Sequence, residues 1–115
     1  MIVEIIKQKL KIGTVLQNPL KGNSVIEKYT ETSIWYKRGK SSINLKNSLI
    51  ESAYKNFVGK KVSAKDLENF DIDFSSKRHH CNATFFLMLM DYCGFSKNGI
   101  HGTGKRGDAF YIDLV

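Results

Sequence analysis

A single proline, two cysteines and no apolar run longer than six residues set the first limits on this 115-residue chain. With 42% hydrophobic and 25% charged residues, its composition is that of an ordinary globular protein, which excludes a disordered, collagen-like or coiled-coil chain. The longest apolar run, Phe85–Met90, is about a third of what a membrane-spanning helix needs. The opening segment MIVEIIKQKL mixes charges with isoleucines and has neither an apolar h-region nor a small-residue cleavage site, so it does not read as a secretory signal. Cys81 and Cys93 lie twelve positions apart on what reads as one helix, about 18 Å along its axis and beyond disulfide reach. Free thiols are expected, and with them a soluble, cytoplasmic protein with no membrane partner.

Acidic residues are also scarce. Eleven Asp and Glu face eighteen Lys and Arg, a net charge of +7. Residues 1–58 carry ten basic and four acidic side chains, residues 59–115 eight and seven. The densest cationic stretch, Lys37, Arg38, Lys40 and Lys46, contains no acid. Such a balance favours a polyanionic partner, because neutralising phosphates releases condensed counterions. A charge of this size also serves solubility alone.

Length allows one domain, 1–115, with a β portion over 1–46 and a helical portion over 47–115. Gly13–Gln17 and Ser24–Tyr29 read as strands around the turn cluster Gln17–Asn23, which holds Pro19. Ser33–Lys37 and Ser41–Leu45 follow, with Arg38-Gly39-Lys40 as a basic hairpin tip. Val3–Leu10 reads as a short helix or strand before this antiparallel meander. The period then changes. Ser48 and Glu51 offer a capping box, followed by Leu49, Ile50, Ala53, Tyr54 and Phe57 at helical spacing and a stop at Gly59. Lys60–Val62 is a short strand, and Ser63–Asp66 caps a helix reaching Phe70. After a connector at 71–76, a third helix runs from His80 to Cys93 and ends at Gly94. Lys97–His101 and Ala109–Val115 flank the Gly-rich tip Gly102–Asp108, with Phe110, Ile112 and Leu114 on one face.

Helix, short strand, helix, helix and a hairpin with a basic Gly-rich tip is an order that resembles the winged-helix DNA-binding domain, over residues 47–115. The resemblance implies an α+β fold in which the meander packs on a three-helix plus hairpin half. It also implies that the 80–93 helix faces the major groove while 102–108 acts as the wing. The connector 71–76 departs from the pattern, being longer than a tight helix-turn-helix turn. In its Lys- and Asn-rich style the chain is also similar to small proteins of mobile gene cassettes and phages.

Four clusters bear on chemistry. Lys77, Arg78, His79, His80 and Asn82 surround the start of the third helix. Cations and free N–H groups there suit phosphate, and Asn82 suits adenine, although the same residues suit an ordinary capped helix start. Lys105 and Arg106 crown the Gly-rich tip, which lacks the Walker spacing and a following helix. Lys37, Arg38 and Lys40 extend the basic surface, and Trp35 or Tyr36 beside them could stack single-stranded bases. His79, His80, Cys81, Cys93 and His101 include every zinc ligand type but no compact ligand spacing. A magnesium nuclease using His79 or His80 with Asn98, His101 and Asp91 or Asp108 lacks an ordered motif. No metal or cofactor is therefore expected. The expectation is a non-catalytic protein that binds nucleic acid, duplex DNA before single strands. Its alternative is a protein-interaction or small-ligand module, a homodimer formed through the apolar 85–92 helix. That helix is apolar nearly all round, and the meander is the preferred cover for its second face.

Overall fold

Alternating apolar and polar residues between positions 15 and 46 pair into one antiparallel sheet in the computed structural model, which describes residues 1–75 and 81–115. Chain order is α1 (Ile2–Lys9), β1 (Val15–Gln17), β2 (Asn23–Tyr29), β3 (Ser33–Arg38), β4 (Ser41–Lys46), α2 (Asn47–Phe57), β5 (Lys61–Ser63), α3 (Ala64–Phe70), a 3-10 turn (Ile72–Phe74), α4 (Cys81–Tyr92), β6 (Ser96–His101) and β7 (Tyr111–Leu114). The fold is α+β, with a four-stranded sheet ordered β1-β2-β3-β4 and a three-stranded sheet ordered β5-β7-β6. Val3–Leu10, open between helix and strand in the sequence, is helical.

Period-two alternation divides the meander into two faces. Leu16, Ile26, Ile34, Tyr36 and Leu45 are fully buried on the inner one. A bulge between Ile26 and Lys28 shifts the register, so Ile26 pairs with Tyr36 and Lys28 with Trp35. Lys28 and Trp35 therefore share the outer face.

The two capping signatures fare differently. Ser63 and Asp66 make a reciprocal capping box, with the Asp66 N–H donating to Ser63 Oγ at 3.0 Å and the Ser63 N–H to Asp66 Oδ2 at 2.9 Å. The Ser48–Glu51 box does not form. Strand β4 runs directly into α2, Lys46 holds the N-cap position without a side-chain bond, and Ser48 is already helical. Glu51 instead accepts the backbone N–H groups of Ile2 at 3.2 Å and Val3 at 3.0 Å. It thus caps α1 from a neighbouring helix, satisfying donors that α1 cannot satisfy internally. At the far end of α1, the Lys9 ammonium donates to the Cys93 carbonyl just beyond α4 at 2.9 Å.

α4 packs against α3 and the second sheet, and the meander meets it through Tyr36. Tyr36 stacks on Phe85 with centroids 3.6 Å apart, and Phe74 from the 3-10 turn meets Phe86 edge-on at 6.0 Å. Every residue from Phe85 to Met90 is buried, each such side chain contributing about 2 kcal/mol of apolar burial. The apolar surface of the 85–92 helix, the seam of the alternative homodimer reading, is therefore used within the chain. Only Tyr92 is exposed there, at 43%, and its hydroxyl accepts the Gln17 N–H of edge strand β1 at 3.0 Å. The buried apolar side chains of both sheets and all four α-helices join one cluster. Both cysteines are free, and among the described residues no helix is long and apolar enough to cross a membrane.

Candidate nucleic-acid interface

Asn82, the expected adenine reader, is 2% exposed. Its Oδ1 accepts the Tyr36 hydroxyl proton at 2.8 Å, and its Nδ2 donates to the Asn44 carbonyl at 3.1 Å and the Asp73 carbonyl at 3.4 Å. The amide is consumed by the core, so the base-reading role expected of it is corrected. It ties α4 to β3, β4 and the 3-10 turn. Burial pushes the Tyr36 phenol well above its ordinary pKa, the Cys81 thiol adds to this, and the Arg38 guanidinium opposes it. Cys81 and Thr84 are the half-buried positions left on the first turn of α4. Lys77, Arg78, His79 and His80 lie outside the described residues.

The Gly-rich tip is a wound turn with its own hydrogen bonds. The N–H groups of Thr103 and Gly104 donate to the Asp108 carbonyl at 3.2 and 2.9 Å, and the Asp108 N–H donates to the Lys105 carbonyl at 2.9 Å. Two glycines fit where no side chain would. At Gly102, φ is +92° and a Cβ would lie 2.4 Å from the Ala109 oxygen. At Gly104, φ is +77° and a Cβ would meet the Phe110 ring at 2.5 Å. Lys105 and Arg106 are exposed on this frame. Between the tip, the start of α3 and the first turn of α4 runs a groove of about 500 Å³. Lys65, Lys105 and Arg106 line it against one carboxylate, Glu68, with Ala83, Thr84 and Phe110 among its walls.

The other basic turn splits its cations. β3 and β4 stay paired to Arg38 and Ser41, leaving Gly39 and Lys40 between them, with Gly39 at φ +62°. Alternation sends Arg38 to the Tyr36 face and Lys37 to the opposite face with Trp35. The three expected cations therefore do not form one patch. Of the two neighbouring aromatics, Tyr36 is core and Trp35 is half-buried on the outer face.

Sequence reasoning passed over Lys65 and Thr84. The Ser63–Asp66 capping box was the available signal for Lys65, since it fixes that lysine in the first turn of α3. Its position facing the tip depends on tertiary packing. Two of the residues considered for a nuclease have other partners: Ser96 Oγ donates to Asp91 Oδ1 at 2.6 Å, and His101 stacks on Tyr111 at 5.1 Å. Among the described residues, no group of three or more His, Cys, Asp or Glu could hold a metal. Comparison with protein-family models, curated proteins and solved structures finds no match to this chain.

Proposed function

We propose that the chain is a non-catalytic nucleic-acid-binding protein that engages duplex DNA, with the Gly102–Asp108 tip on the phosphate backbone. One observation carries this reading: Lys105 and Arg106 stand exposed on a self-bonded tip, across a cation-lined groove from Lys65 and the first turn of α4. A turn braced in this way fixes the backbone that carries the charges, so the ordering cost of binding falls on the two side chains alone. The order of elements from α2 to β7 supports the winged-helix likeness, and Arg38 lies on the face of the meander that carries Tyr36. Because Phe85–Met90 are buried, base contacts would come from the start of α4 and the segment before it, and phosphate contacts would dominate affinity.

Fluorescence anisotropy with mixed-sequence duplex DNA at several salt concentrations tests the proposal. Binding should weaken steeply with salt. The Lys105→Glu/Arg106→Glu variant should lose affinity for all duplex sequences alike and flatten the salt slope by about 2. Unchanged affinity in that variant ends the assignment of the tip.

A further inference from the structure

The meander that supplies Tyr36 to the core turns a different surface to solvent. By strand pairing, Trp35 lies between Lys28 on β2 and Asn44 on β4, with Lys37 in the next row beside Ser42 and Lys46 at the end of β4 opposite Ser33. Lys28, Lys37, Ser42 and Lys46 are exposed, whereas Trp35 and Asn44 are half-buried. The Lys28 ammonium sits 5.1 Å from the centroid of the Trp35 ring. The one carboxylate that reaches this face from the four strands, Glu27, is held by the Ser42 hydroxyl. Lys28, Lys37 and Lys46 therefore share this face with Trp35 and outnumber the one carboxylate that the strands bring to it.

We infer that this face binds single-stranded nucleic acid, with a base stacked on Trp35 and backbone phosphates drawn to Lys28, Lys37 and Lys46. Every base has a π-face, so an aromatic ring accepts it without sequence preference, and flanking cations hold the phosphates on either side. A duplex keeps its bases stacked inward and cannot offer one to a ring on a sheet. The charge excess decides the class of occupant, and the ring decides between single and double strands. This inference does not rest on the duplex reading, because the tip that carries that reading belongs to the other sheet.

Trp35 is the one tryptophan in the chain, so tryptophan emission reports this face alone. Titrating the full chain with a thymidine homo-oligonucleotide should quench that emission saturably, with weaker binding as salt rises. Trp35→Leu should weaken binding about tenfold by anisotropy of a labelled oligonucleotide. Lys28→Ala/Lys37→Ala, at two exposed positions that leave the core intact, should also weaken it and flatten the salt slope. Lys105→Glu/Arg106→Glu should leave the quench in place, which separates this face from the tip. The inference is overturned by oligonucleotide binding with no change in emission, by unaltered affinity in the double-lysine variant, or by loss of the quench in the tip variant. Absence of any binding at low salt overturns it equally.

Discussion

The two basic turns meet the same demand, a cation held at the end of a hairpin, by opposite means. Arg38-Gly39-Lys40 has hardly any structure of its own. It is placed by strands paired up to its base, and those strands are fixed to α4 by Asn82, which bonds Tyr36 on β3 and the Asn44 carbonyl on β4. Gly102–Asp108 is held from within, by carbonyls of Asp108 and Lys105 that accept its N–H groups and by the Phe110 ring against Gly104. At Gly39 a Cβ would meet nothing within 4 Å, whereas at Gly102 and Gly104 it would collide. One turn depends on distant core contacts and the other on its own backbone, so each should break at a different place.

The largest effect is expected at Asn82. Asn82→Ala leaves the Tyr36 hydroxyl buried beside Phe85 without its acceptor and removes two further bonds to carbonyls. Stranding one such group and losing two hydrogen bonds should cost about 3–4 kcal/mol in urea unfolding. A loss near that of a surface substitution would mean that the meander is not anchored to α4 through this amide. Gly102→Ala comes next. The positive φ and the collision with the Ala109 backbone oxygen should together cost about 2–3 kcal/mol, most of it spent on rearranging the tip. Its signature is a loss of duplex affinity approaching that of Lys105→Glu/Arg106→Glu while the far-ultraviolet spectrum is retained. Full affinity in Gly102→Ala would show that the cations do not need the wound turn.

Local signals made most of the elements legible. The alternation in Ser24–Tyr29 and Ser33–Leu45, the reciprocal Ser63 and Asp66, and Gly59 at φ +80° each act over a few residues, and each did what its neighbours in sequence implied. Glu51 and Asn82 were misread for one reason. Both are polar residues near a helix start, where capping or ligand contact is the nearest use, and apart from the Asp73 carbonyl, nine positions before Asn82, both are spent on partners 38 to 49 positions away in sequence. Nothing in a local window distinguishes a carboxylate that caps its own helix from one that caps another. The apolar circumference of α4 was a stronger signal, because a helix without a polar face must be covered, and Tyr36 supplies part of the cover. Groove residues such as Lys65 and Thr84 carry no such signal. They become neighbours of the tip only when α3, α4 and the second sheet pack.

The smallest expected effect sharpens the contrast most. Gly39→Ala places a methyl group in open space, so the cost is the left-handed backbone alone, about 1 kcal/mol. Gly39→Asn should recover most of that, since a short polar side chain tolerates this region. Neither variant should change duplex affinity, because the paired strands on both sides, not the turn residue, place Arg38. Urea unfolding of both variants beside Gly102→Ala reads the difference directly. If Gly39→Ala costs as much as Gly102→Ala, or if Asn fails to rescue it, the first turn has packing of its own and the distinction between external and internal bracing fails. If the ordering holds, the meander turn tolerates change at its tip and is sensitive only where its strands meet α4, at Tyr36 and Asn82.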